Sequence, residues 1–99
     1  MKTGDVLAHF SRLVGSELQT PDALPLQVIE VTEPQISGEF QSFAVRLKGP
    51  LDRPLEQGMI ELIEPDGDSD PLFIVPIARE RDGYVYEASF NVRASVSTP

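Results

Sequence analysis

Residues 84–92 read Tyr-Val-Tyr-Glu-Ala-Ser-Phe-Asn-Val, and residues 42–48 read Ser-Phe-Ala-Val-Arg-Leu-Lys. In both stretches an apolar or aromatic side chain recurs at every second position, with mostly polar or small residues between. Because successive side chains of a strand point to opposite faces, each stretch predicts a β-strand with one buried face and one wet face. These two strands are typical of a mainly β protein.

Turn chemistry divides the remainder of the chain into short segments. Proline, glycine and aspartate, which favour turns, cluster at 20–22, 33–38, 49–58, 64–67 and 81–83. The segments between them predict six short strands, and short connections favour antiparallel neighbours. We therefore expect a small six-stranded antiparallel barrel or sandwich.

Two strands depart from simple alternation. In Leu26–Val31 the apolar phase slips, and a bulge near Val28 would reconcile the two halves. In 72–77 apolar residues occupy both phases, which requires cover on both faces. Pro76 lacks a backbone N–H and therefore indicates an edge or a bulge in that strand.

The only helix predicted from the sequence covers residues 5–14. Asp5 is a suitable N-cap, Gly15 suits the left-handed position that ends a helix, and the apolar residues between them share one face. A helix of about ten residues is marginal by itself, so Phe10 should bury against the sheet. The domain organisation is thus a single β-domain over 1–99, with a helix at 5–14, strands over 16–92 and a flexible tail at 93–99.

Composition excludes several classes of function. The 99 residues include no cysteine, which excludes disulfides and thiolate metal sites. The formal charge of −8, from 16 acidic and 8 basic residues, disfavours nucleic acid as a partner. The longest apolar stretch, Leu72 to Ala78, is too short to cross a membrane, and the N-terminus does not resemble a signal peptide, so we expect a cytoplasmic protein.

Catalytic and metal-binding signals are weak. His9 is the only histidine, and Ser11, two positions away, would face elsewhere on a helix, so we interpret His9 as an ordinary surface or boundary residue rather than a catalytic base. Glu61 and Glu87 fall on the wet phase of their strands, and no phosphate-binding glycine loop is present. We therefore predict neither an enzyme nor a cofactor.

An acidic run, Asp66-Gly67-Asp68-Ser69-Asp70, resembles the opening of a calcium loop. A helix–loop–helix calcium site needs glycine at its sixth position and glutamate at its twelfth, but this run places Pro71 and Ile77 there. An acidic hairpin turn with Asx-type hydrogen bonds explains the run better, so no metal is expected.

Five segments together resemble a bacterial family of short domains of unknown function. The family has a glutamine–glycine turn before a strand, an "LFLVP" strand and a closing "YEAxFN". The matching segments here, in order, are Phe10 with Val14-Gly15, FAVRLKGP at 43–50, LEQG at 55–58, LFIVPI at 72–77 and YEASFN at 86–91. The acidic expansion at 66–70 and Ile60, where an aromatic residue is common, depart from the family pattern. Because such domains are often encoded beside phage-tail-collar-like fibre proteins, the resemblance implies a role in a tail-like or fibre-like assembly.

We therefore expect a non-catalytic assembly or protein-binding module that has a protein partner or associates with itself. The predicted interface consists of Leu72, Ile74 and Pro76, because one phase of an entirely apolar strand needs a cover outside the barrel. The alternative is a small barrel that binds a ligand or peptide, and an enzyme comes third. An exposed apolar patch would favour assembly, whereas an enclosed pocket with converging polar groups would favour a ligand.

We predict that calcium does not stabilise the protein, because the acidic run lacks a complete set of oxygen ligands. Thermal denaturation with and without calcium at about millimolar concentration checks this. A calcium-dependent rise in melting temperature that Asp68→Ala abolishes would contradict it.

Overall fold

The computed structural model describes residues 6–93. Within that range the chain forms one short helix followed by seven strands. The elements are α1 (Val6–Arg12), β1 (Glu17–Gln19), β2 (Pro25–Val31), β3 (Gln35–Ser37), β4 (Phe40–Gly49), β5 (Gly58–Ile63), β6 (Ser69–Glu80) and β7 (Gly83–Arg93). The helix has seven residues, so no helix among residues 6–93 is long and apolar enough to cross a membrane.

Six of the strands close into an antiparallel barrel. The sheet runs β2-β1-β5-β6-β7-β4, and a further pairing of β2 with β4 joins its two ends. The prediction of a small antiparallel β-fold with one N-terminal helix is confirmed, and of the two architectures considered it is the barrel. The seventh strand, β3, was not predicted; it pairs only with β4, opposite Phe40–Ser42.

The core consists of the inward phase of each strand. On β4 the buried side chains are those of Phe43, Val45 and Leu47, as the alternation predicted. Tyr86 is also buried, and the backbone N–H of Leu55 donates a 2.8 Å hydrogen bond to its hydroxyl oxygen. This bond satisfies a polar group that would otherwise be costly inside the barrel. The other fully buried large residues are Phe10, Leu18, Leu24, Leu26, Val28, Leu62 and Ile74.

Helix α1 packs on the barrel through Phe10, which is 1% exposed. The Phe10 ring lies 5.3 Å from the ring of Phe90, and Phe90 in turn stacks on Phe43 at 5.1 Å between centroids. The helix ends at Arg12, two residues earlier than predicted, because the chain turns there. Gly15 adopts a φ of +91°, and its backbone N–H donates a hydrogen bond to the carbonyl of Val28. The predicted N-cap Asp5 and residues 94–99 of the predicted tail lie outside the described residues.

Both predicted irregularities are present. The register of β2 against β4 shifts between Val28 and Glu30, which is the expected bulge. The register of β6 against β7 shifts between Pro76 and Ala78. Pairing of β5 with β6 stops at Gly58 and Ile74, so no strand among residues 6–93 pairs with 75–80 on that side. Pro76 therefore lies both at a bulge and at an edge.

We predict that Phe10→Ala lowers the free energy of unfolding by about 3–5 kcal/mol, because it leaves a cavity between the helix and the barrel. Urea denaturation measures the change, with Val14→Ala as the control because Val14 is exposed and should change stability little. Equal urea midpoints for wild type and Phe10→Ala would show that the helix does not support the fold.

Candidate functional site

The three residues of the predicted interface do not share a surface. Leu72 and Ile74 are 3% and 0% exposed and belong to the core, whereas Pro76 is exposed. Because β6 forms part of a closed barrel, the phase that contains Leu72 and Ile74 is filled by core packing and is not available to a partner. The two phases of β6 are therefore the reverse of the prediction. Leu72 and Ile74 face the core, and Phe73 between them is the large apolar residue that faces solvent.

The exposed side of β5 and β6 carries a contiguous apolar surface. Met59 and Phe73 lie directly opposite each other across the two strands, and they are 65% and 48% exposed. Val75 continues the outward phase of β6 and is half-buried, and Ile77 at the bulge is 45% exposed. We call these four residues the β5–β6 outer face. Cross-strand apolar neighbours of this kind are unusual on a wet face and mark interaction sites when they are contiguous.

Acidic groups border this surface on the β7 side. Arg46 donates to Glu30 at 3.0 Å and to Glu87 at 3.1 Å. Glu87 is the cross-strand partner of Val75, so this ion-pair group adjoins the outer face. Both hydrogen bonds raise the pKa of Arg46, and the bond with Glu87 has the larger effect.

A second ion-pair group lies at the β6–β7 hairpin. Lys48 contacts Glu80 at 2.8 Å and Asp82 at 2.9 Å, and these hydrogen bonds raise its pKa. Arg79 and Arg81 offset the carboxylates at this hairpin, so only the Arg46 group, with two carboxylates to one cation, gives the border of the outer face a negative balance.

A second constellation joins the helix to the barrel. His9 on α1, Glu64 directly after β5 and Asp70 on β6 bring their ligand atoms within 4.8 Å of one another. The Nε2 atom of His9 lies 2.8 Å from Oε2 of Glu64. Glu64 and Asp70 are both buried, whereas His9 is partly exposed. We call these three residues the His9 cluster.

The β5–β6 turn positions the two carboxylates of the His9 cluster. Gly67 adopts a φ of +95°, its N–H donates to the carbonyl of Glu64, and the N–H of Asp68 donates to Oδ1 of Asp66 at 3.0 Å. The interpretation of the acidic run as a hairpin turn with Asx-type bonds is therefore confirmed. The turn returns the chain so that Glu64 and Asp70 meet on the inner side of the hairpin.

The pKa values of the two buried carboxyl groups shift in opposite directions. Burial, followed by a hydrogen bond with Asp70, raises the pKa of Glu64, although His9 acts in the opposite direction. Burial also acts to raise the pKa of Asp70, but its hydrogen bond with Glu64 and the positive charge of His9 contribute to a net lowering. Two carboxylates in one buried site repel each other, so the pair retains a proton more readily on Glu64.

The His9 cluster adjoins an open cleft of about 440 Å³, whose lining includes Arg12, Ser16 and Asp68. A larger but shallow groove of about 620 Å³ crosses β4 and β7 near Arg46 and Asn91. The barrel interior itself is filled by the core side chains. Both depressions open widely to solvent, unlike the enclosed pockets that bury most of a small ligand.

Sequence reasoning did not find the His9 cluster, because His9 and Glu64 are 55 positions apart in the chain. One signal was present: Asp70 shares the phase of Leu72 and Ile74, so the burial of that phase also buries Asp70. Glu64 carried no comparable signal, because it falls within a turn motif.

The fold and its surfaces define a small closed antiparallel β-barrel with a helix packed on it and an exposed apolar face on two strands. The chain belongs to the DUF6916 family, a domain of unknown function whose family model matches residues 6–90. The resemblance to a family of short domains of unknown function is thus confirmed at that level. No curated protein and no solved structure matches the chain.

We predict that wild type loses stability relative to Glu64→Gln as pH rises in a buffer that contains EDTA. The folded-state pKa of Glu64 lies above its usual 4.5, so its contribution is complete below 4.5 and is lost as pH rises through the folded value. Asp70 does not oppose this trend. Its pKa is lowered from 3.8, so its effect on stability changes with pH only below that value. Urea midpoints of both proteins from about pH 4 to about pH 8 provide the measurement.

Glu61→Gln is the matched control for this prediction, since Glu61 is an exposed residue of the same hairpin. It should follow the wild-type pH dependence. A difference between wild type and Glu64→Gln that stays constant with pH would contradict the assignment of the proton to Glu64.

Proposed function

We propose that this domain is a non-catalytic protein-binding module whose partner presents an apolar and basic surface to the β5–β6 outer face. The observation that carries the proposal is the exposed cross-strand pair Met59 and Phe73, continued by Ile77 on the same strand. Contiguous apolar side chains at such exposure cost free energy in water, and a partner recovers it by covering them.

The partner contacts side chains rather than extending the sheet. Residues 75–80 pair with β7 only, so they offer an edge. However, Pro76 lacks an N–H donor, and the bulge that follows it disrupts the regular spacing of the backbone groups. Proline and bulges are the means by which natural edge strands avoid pairing with other chains.

Charge favours a basic partner over a second copy of the chain. The chain has a net charge of −8, and two carboxylates accompany the cation Arg46 beside the outer face. Two copies that met through this surface would bring like charges together, whereas lysine or arginine around an apolar strip would complement it. The family resemblance supports a partner that belongs to a tail-like or fibre-like assembly.

A small ligand is a weaker alternative, because it needs an enclosed site. The two depressions described above are open, and the barrel has a packed interior. An extended peptide in the groove across β4 and β7 is the second candidate. Polar side chains, among them Ser42, Ser89 and Asn91, line that groove.

We predict that Phe73→Glu leaves the domain folded and weakens partner binding by at least about tenfold, because it removes an apolar anchor and adds a like charge. The tagged full chain is used to capture proteins from its native cells. The captured protein is identified, purified and titrated against wild type and variant at increasing salt. Binding should weaken with salt, since the complementary charges are screened.

Ile36→Glu is the matched control, because Ile36 is an exposed apolar residue on β3 and should not affect binding. Equal loss of binding in both variants, or binding that strengthens with salt, would contradict the proposal. Concentration-dependent dimers of the wild type in sedimentation, abolished by Phe73→Glu, would replace the basic partner with a second copy. Loss caused only by Ser89→Lys would favour the peptide groove.

A further inference from the structure

We propose that the His9 cluster binds a divalent first-row transition-metal ion, with Zn²⁺ as the representative ion, and that the ion fastens helix α1 to the β5–β6 hairpin. The proposal concerns a different part of the molecule from the β5–β6 outer face and does not depend on it.

The geometry of the donors is suitable. One imidazole nitrogen and the oxygens of two carboxylates lie within 4.8 Å of one another. Zinc bonds to nitrogen and oxygen are about 2.0–2.2 Å long, so donors around one ion lie roughly 3–4 Å apart. The 2.8 Å contact between His9 and Glu64 needs only a small separation to admit the ion.

The electrostatics of the site also favour a cation. Glu64 and Asp70 are 5% and 2% exposed, yet they are adjacent to each other. Burial of two like-charged groups is expensive, and proteins compensate for it with a proton, a paired cation or a metal. A divalent ion neutralises both carboxylates at once, and it would replace the proton and the cationic partners that otherwise compensate them.

The donor set distinguishes between metals. Calcium and magnesium prefer oxygen-only sites, and calcium takes six to eight ligands. A site with one imidazole and two carboxylates suits zinc or another first-row transition metal. Three protein ligands leave a position for water, and the adjoining cleft beside His9 gives the ion a route from solvent.

The ligands come from separate elements, which determines what the ion does. His9 belongs to the seven-residue helix, and the two carboxylates flank the turn between β5 and β6. A helix of this length is marginal by itself. A metal that binds only the folded arrangement therefore stabilises the docked helix, and the stabilisation increases with the logarithm of the free metal concentration above the dissociation constant.

For the test, the full chain is dialysed against EDTA, and the EDTA is then removed by further dialysis. Zinc chloride alone is the probe. Isothermal titration should give one zinc per chain, and zinc should raise the melting temperature while calcium does not. His9→Gln, Glu64→Gln and Asp70→Asn should each weaken zinc binding more than about tenfold, because loss of an outer-sphere partner alone costs about that much.

Glu61→Gln is the matched control and should bind zinc as wild type does, since Glu61 is exposed on the same hairpin. Circular dichroism establishes that each variant is folded. Cobalt absorption in the visible region reports on coordination and should change on His9→Gln. The absence of both a zinc titration heat and a zinc-dependent rise in melting temperature for the folded wild type, or zinc affinity that survives in His9→Gln, overturns the proposal.

Discussion

The pairing of β4 with β7 is the constraint on which the rest of the structure depends. It runs without interruption from Phe40 opposite Arg93 to Gly49 opposite Tyr84. Along its length β4 also receives β2 and β3 on its other side, so one strand supports both the closure of the barrel and the additional strand. Antiparallel pairing of this length fixes the register, because a shift of one residue would expose Val45 and Leu47.

Close backbone approach at one end of this pairing requires glycine. A Cβ atom on Gly83 would lie 2.7 Å from the carbonyl oxygen of Gly49, and one on Gly49 would lie 2.6 Å from the side chain of Leu26. Neither position tolerates a side chain without movement of the neighbouring atoms. Since Leu26 lies on β2, the absence of a side chain at Gly49 leaves room for a core residue of the closing strand.

Closure of the barrel produces two different environments on the β5–β6 hairpin. Its inner side receives the core residues and, at the turn, the buried carboxyl groups of Glu64 and Asp70 beside His9. Its outer side keeps Met59 and Phe73 in solvent, because the barrel has no second layer there among the described residues. The hairpin thus separates a polar cluster beside the helix from an exposed apolar surface, which is the proposed binding face.

Much of this architecture was predictable from local pattern. The strands at 42–48 and 84–92, the bulge after Val28, the irregularity at Pro76 and the turn at 64–67 follow from alternation, backbone chemistry and turn residues, which act over a few positions. Only the tertiary structure decided which phase of β6 is buried, since Leu72–Ile77 is apolar in both phases and local pattern cannot distinguish them. It also decided that the sheet closes and that His9 meets a carboxylate 55 positions away. These features depend on contacts between distant segments, and the physical reason is that the burial of one strand face is determined by the strands and helix that pack against it, not by its own sequence.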